Sequence, residues 1–65
     1  MNGIGERIKA ARLQRGLTQE ELASPEFTAA YVSQLERGRV SPSVRALRIL
    51  AGKLEVEPGY LLDGS

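Results

Sequence analysis

Cysteine and histidine are both missing from these 65 residues. Without thiols there is neither a disulfide nor a thiolate zinc site, a usage that fits a reducing compartment. The pattern also lacks a carboxylate pair set in an apolar pocket and any metal-ligand cluster, so an enzyme is the weakest function class and no metal or cofactor is expected. No apolar run comes near the ~20 residues that a membrane span needs, and the N-terminus lacks the apolar segment of a signal peptide. The expectation is a soluble cytoplasmic protein with no membrane partner. Length is short too. A single domain of this size buries only about 60% of the surface its unfolded chain exposes, so its core must be small and its helices well capped.

Net charge is only +1, and the total does not advertise a polyanionic partner. The distribution is more informative. Residues 28 to 53 carry Arg37, Arg39, Arg45, Arg48 and Lys53 against the single acid Glu36, whereas residues 54 to 65 carry only Glu55, Glu57 and Asp63. The basic charge therefore gathers in and just after one segment, as an electrostatic footprint on phosphate requires.

That segment belongs to the stretch Leu17 to Gly38, LTQEELASPEFTAAYVSQLERG, which contains two helix starts of the same design. In the first, Thr18 caps, Glu21 completes a capping box, and Leu17 and Leu22 form a hydrophobic staple. In the second, Thr28 caps between the staple residues Phe27 and Val32, and Tyr31 stands where a capping box would want Glu or Gln. Pro25 biases Ser24 away from helical angles and ends the first of the two helices there. A helix, a tight break and a second helix is an arrangement in which one helix braces another against a DNA groove.

The same stretch resembles the helix-turn-helix of the Cro and Xre-type repressor family, whose run Thr-Gln-Glu-Glu-Leu-Ala, turn, capped helix and Glu-Arg-Gly is met here by Thr18 to Ala23 and by Glu36, Arg37 and Gly38. The likeness extends from about Ile4 to Gly64. It implies an all-α, compact five-helix, lambda-repressor-like domain over residues 1–65, with the helix-turn-helix at 18–37. It also implies a bacterial or phage-encoded regulator of transcription, a repressor, that binds a palindromic double-stranded DNA operator as a homodimer. Two alternatives stand beside it: a protein-interaction module such as an antitoxin, with a partner still to be identified, and the N-terminal DNA-binding domain of a larger regulator.

Residue assignments follow from helical geometry and from the resemblance together. With Val32 and Leu35 facing inward, Ala30, Ser33, Gln34 and Arg37 of the helix Thr28 to Arg37 face outward, and Ala29 and Tyr31 lie on the shoulders. Small side chains let a helix approach base edges, alanines can touch thymine methyls, and a glutamine can pair with adenine. The resemblance puts Ala29, Ala30, Ser33 and Gln34 at the base-facing positions. It assigns phosphate contacts to Gln19, at a helix start where free amides favour an anion, and to Thr28, Tyr31, Arg37, Arg39, Ser41, Ser43 and Arg45, although Tyr31 equally suits the rim of the core.

The first helix opens at Asn2 or Gly3, runs to about Arg15 and stops at Gly16. Ile4, Ile8 and Ala11 form its inward stripe, with Arg12 at the edge and Leu13 pointing away. Gly3-Ile4-Gly5 is no dinucleotide fingerprint, because Ile8 replaces the third glycine and no strand precedes it. Glu36 and Arg12 both lie near inward faces, and a buried carboxylate demands a countercharge; the family has an arginine–glutamate pair between its first and third helices at these places, and the resemblance implies that Arg12 and Glu36 pair in the same way.

Ser41 is expected to cap a fourth helix with Pro42 at its first position, running to about Lys53 and burying Val44, Leu47, Leu50, Ala51 and Leu54. Gly52 sits inside it, and close helix packing is one reason a glycine is found there. After a turn at Glu55, Glu57 caps a last helix with Pro58 at its first position. Tyr60 and Leu62 suit a dimer contact and equally suit closure of the core. Two departures from the family stand out: the turn from Ala23 to Phe27 is one residue short, and Glu55 occupies a glycine's place, where a left-handed backbone strains it.

Overall fold

The computed structural model describes residues 3–64. Its five helices are α1 (Ile4–Gln14), α2 (Gln19–Ala23), α3 (Ala29–Glu36), α4 (Val44–Leu54) and α5 (Pro58–Asp63), with no strand among the described residues. Gly3 opens α1; Asn2, the alternative opener, lies outside the described residues. Arg15 ends that helix and Gly16 takes the left-handed conformation after it, which lets the Leu17 amide donate back to the Arg12 carbonyl at 3.0 Å.

Both threonine caps form as the sequence indicates. Thr18 Oγ1 accepts from the Glu21 amide at 3.0 Å while Glu21 Oε1 accepts from the Thr18 amide at 2.8 Å. Thr28 Oγ1 accepts from the Tyr31 amide at 3.1 Å. Ser24 is extended, so α2 ends ahead of Pro25, and the Ser24–Pro25 peptide is cis.

The start of α4 differs from expectation. Its cap is Ser43, whose hydroxyl accepts from the Ala46 amide at 3.0 Å, and Pro42 stays in the preceding loop. The helix thus begins two residues later than the proline suggests, because either serine can supply a cap and only the second is placed to meet an amide three residues on. Val44 then becomes the first helical residue and is 68% exposed, while Ala46 takes its place in the core.

The core is built from Ile8, Leu22, Val32, Leu35, Leu50, Leu54 and Leu61, all of them essentially inaccessible, with Ala11, Ala23, Leu47 and Ala51 between them. Each large aliphatic side chain contributes about 1.5–3 kcal/mol relative to staying exposed. Ile4, Leu17, Phe27, Tyr31, Val56 and Tyr60 pack around this centre. Helix α1 lies against α3, α4 and α5, and α2 packs on α3 and α4.

Gly52 has open space around it, so close packing does not account for it. The crowded glycine is Gly5: a Cβ there would lie 2.1 Å from the Leu35 carbonyl oxygen, so α1 crosses the end of α3 nearly backbone to backbone. Glu55 is left-handed (φ 58, ψ 42), as its place after α4 foretells, and its amide donates to the Gly52 carbonyl. At the opposite edge Arg7 reaches across to α5, donating from Nε to the Leu61 carbonyl at 3.0 Å and from Nη2 to the Leu62 carbonyl at 2.6 Å.

Candidate nucleic-acid interface

Helix α3 is held from three sides, and what remains uncovered is one face. Val32 and Leu35 anchor its inner face. At its start, Phe27 and Tyr31 stack with ring centroids 5.0 Å apart, so Tyr31 is half-buried on the rim of the core. At its end, the Gly38 amide donates to the Leu35 carbonyl and the Arg39 amide to the Gln34 carbonyl, both at 3.0 Å. Those two bonds tie the Arg39 backbone to the C-terminal end of α3. Ala30, Gln34 and Arg37 are exposed, and Ala29 and Ser33 are half-exposed beside them. The five residues form one small-residue, lightly polar face, as helical geometry predicts.

Behind this face lies the expected pair. Arg12 donates from Nε to Glu36 Oε2 at 2.7 Å and from Nη2 to Glu36 Oε1 at 3.1 Å, a two-pronged contact between side chains only 9% and 4% exposed. The guanidinium also donates from Nη1 to the Leu17 carbonyl at 2.8 Å. Hydrogen bonding to Glu36 holds Arg12 above its already high ordinary pKa, outweighing the opposite pull of burial, and the charge of Glu36 adds to the effect. The pair therefore ties α1, the head of α2 and the tail of α3 together, and fixes how far α3 stands out from the body.

Gln19 belongs to the same network, which the sequence does not reveal. Its Nε2 donates to Glu36 Oε1 at 3.1 Å. The carboxylate can only accept, so this bond fixes which end of the amide points inward. Lys9, Arg12, Gln19, Ser33, Glu36 and Arg37 together line a polar recess of about 220 Å³ beside the exposed face of α3. Lys9 is absent from the sequence-derived candidates; its signal is a position three residues ahead of Arg12, on the same side of α1.

The remaining candidates lie around the loop after α3. Arg39, Ser41 and Arg45 are exposed, and Ser43 is exposed at its edge although its hydroxyl is committed to the cap of α4. Arg37 and Arg39 have no carboxylate at ion-pair distance among the described residues, and neither does Arg48. Lys53, counted with the basic cluster from sequence, is spent elsewhere: it pairs with Glu26 at 2.6 Å and donates to the Ser24 carbonyl, bracing the turn between α2 and α3 from the end of α4. That contact, with Arg45 nearby, holds the Glu26 carboxyl below its usual pKa. Thr28, like Ser43, serves as a cap. Tyr60 is half-buried against the core, and Leu62 is 53% exposed on α5.

No helix among the described residues is long and apolar enough to cross a membrane. The two longest helices have 11 residues each.

Known proteins share both the sequence and this arrangement. The chain is 40% identical over 55 residues to the immunity repressor protein of Bacillus phage phi105, an alignment that spans 83% of this chain and 38% of that protein. It is 37% identical over 60 residues to the HTH-type transcriptional regulator DdrOP3 of Deinococcus deserti, spanning 91% of this chain and 46% of that one. The chain thus spans less than half the length of these two relatives. Its fold superposes on the P22 c2 repressor, solved in complex with a synthetic operator, with a TM-score of 0.94, 32% identity and full coverage of both chains. The shortened turn after Ala23 therefore leaves the arrangement of helices intact. Residues 4–62 match the helix-turn-helix domain, and the chain belongs to that family.

Proposed function

We propose that the chain is the sequence-specific DNA-binding unit of a transcriptional repressor, acting by binding and not by catalysis, in the cytoplasm of a bacterial or phage-infected cell. Two copies would engage a palindromic operator, each inserting α3 into the major groove of one half-site. The observation that carries this reading is the exposed face of α3. It is small enough to approach base edges, it is held by the Arg12–Glu36 pair behind it, and it is flanked by Arg37 and Arg39, which have no carboxylate partner among the described residues. The likeness to a repressor solved on operator DNA supports it.

In this reading Gln34 makes paired hydrogen bonds to adenine, Ala29 and Ala30 touch thymine methyls, and Ser33 reaches a base edge. Arg39 lies along the backbone, with Gln19, Thr28, Tyr31, Arg37, Ser41, Ser43 and Arg45 as further phosphate contacts. With so few hydrogen-bonding groups on α3, part of the discrimination falls to the shape of the DNA. Half-sites should lie about 34–36 Å apart, one turn of duplex, when two copies related by a two-fold axis bind together.

The test is selection from a random duplex library over a salt series, followed by sequencing. Enrichment of a palindrome with half-sites one turn apart supports the proposal. Retention that is weak, salt-sensitive and without sequence preference refutes specific recognition by this chain.

A further inference from the structure

We propose that the exposed face of α3 senses the methylation state of adenine: it holds an operator whose adenines are unmodified and releases one that carries N6-methyladenine where Gln34 reads it. The proposal rests on the DNA-binding reading above and concerns what regulates that same face. What carries it is a scarcity of acceptors. In the major groove adenine offers one donor, the N6–H that is not paired with thymine, beside the acceptor N7. Only an accepting group can meet that donor, and Arg37 cannot serve because a guanidinium only donates. Glu36 is withdrawn as well: both of its oxygens accept from Arg12, Oε1 accepts from Gln19 too, and its side chain is 4% exposed. Ala29 and Ala30 carry no polar side-chain atom. Of the five residues of the face, only Ser33 and Gln34 keep a side-chain acceptor, and only Gln34 joins an acceptor and a donor in one planar group.

Gln34 is placed for the contact and has no substitute. Its backbone is fixed, since its carbonyl accepts from the Arg39 amide at 3.0 Å and the next residue, Leu35, lies in the core. Its side chain is exposed and bonded to no other side chain or backbone group among the described residues. One turn back stands Ala30, exposed and too short to compete for the amide. With Oε1 accepting from N6–H and Nε2 donating to N7, the amide reads adenine by two bonds. In a duplex the N6 hydrogen that pairs with thymine has to stay, so an N6-methyl group takes the place of the one in the groove. The methyl carbon then faces Oε1, one bond is lost, and the oxygen is left desolvated without a donor. A face rich in amides and carboxylates would lose one contact of several; this one loses its only two-bond contact to a base. Thymine methyls are met by alanines, so the same face accepts a methyl group on pyrimidine C5 and rejects one on adenine N6.

The experiment takes the operator selected as above and synthesises it with N6-methyladenine at each half-site adenine in turn, in one half-site or in both. A scrambled duplex with the same number of methylated adenines is the control. Affinities of the wild type and of Gln34→Ala are measured at low salt, where the weaker variant still binds. At one adenine position, methylation of a single half-site is expected to weaken wild-type binding on the order of tenfold, and methylation of both by about the square of that factor. The salt slope should not change, because no phosphate contact is lost. The scrambled duplex should be bound equally with and without its methyl groups. Gln34→Ala should bind methylated and unmethylated operators alike, which assigns the loss to this side chain. Three results overturn the sensor while leaving DNA binding intact: wild-type affinity unmoved by methylation at every position, an equal methylation penalty in Gln34→Ala, or a selected operator without adenine in its half-sites. A wild type that selects no operator overturns the DNA-binding reading and the sensor with it.

Discussion

Gly5, in the first turn of α1, and Gly52, inside α4, are both helical glycines, and the same substitution should move stability in opposite directions at the two. At Gly52 nothing lies within 4 Å of an added Cβ, so Gly52→Ala is expected to stabilise the domain by about 1 kcal/mol. At Gly5 the added carbon would sit 2.1 Å from the Leu35 carbonyl oxygen; the neighbour is backbone and cannot swing aside, so Gly5→Ala should cost about 3 kcal/mol. Urea unfolding of the two variants checks both signs. The buried pair gives a second prediction at this scale. Glu36→Gln leaves the Arg12 guanidinium buried without its countercharge, at a cost of about 3 kcal/mol, which for a domain of this size lowers Tm by more than about 10 °C. An unchanged Tm would make the pair dispensable. These residues were not equally legible. Arg12 and Glu36 each stood on the inner edge of an apolar stripe, where an unpaired charge is too costly to keep, and the family resemblance named each as the other's partner. Gly5 gave no such sign, because the closeness of α1 to the end of α3 is a fact about two helices meeting and not about either pattern.

Among the elements, the two threonine-capped helices were plain to read, since cap, box and staple are all set within a few residues of chain. The start of α4 was not, because Ser41 and Ser43 flank a proline and local chemistry suits both. Which one caps is decided by how the helix settles on the core, with Ala46 inward and Val44 outward. The brace from α4 to the turn was also hidden, since Lys53 and Glu26 are far apart in sequence. It has a pH signature. Glu26 is held below the usual glutamate value of 4.5, chiefly by hydrogen bonding from Lys53. A carboxyl lowered on folding contributes stability that is complete above 4.5 and is lost as pH falls through the folded value. The Tm gap between wild type and Lys53→Met should therefore be constant from about pH 7 down to 4.5 and narrow as pH falls from there through the folded value. A gap that persists undiminished at about pH 3 would mean that the bond from Lys53 to the Ser24 carbonyl is what braces the turn. For α3, Gln34→Ala should cost the selected operator about 1–3 kcal/mol of discrimination and leave binding to scrambled DNA unchanged, as measured by competition.

For the whole molecule, the proposed function requires two copies to meet. Leu62 presents more than half of its surface on α5, and it can be changed without disturbing the core that Leu61 and Tyr60 serve. In the homodimer reading, Leu62→Glu places like charges against each other across a two-fold axis, so a folded chain should bind a single half-site normally and lose the gain from the second. Sedimentation of the complex with palindromic DNA reads this directly, and two copies still bound with undiminished affinity would move the interface elsewhere. Composition left this part least legible, since an exposed leucine and a core leucine one residue apart look the same until α5 is docked. The docking of α5 has a consequence of its own. Arg7 holds the carbonyls of Leu61 and Leu62 from the far end of the chain, across separations of 54 and 55 residues. Helix α1 is made before α5, so its contacts are complete only once residues 61 and 62 have been added; a nascent chain stopped short of Leu61 keeps the packing of α1 on α3 and α4 but lacks the two carbonyls that Arg7 holds. The domain's assembly is thereby finished only after α5 has been made.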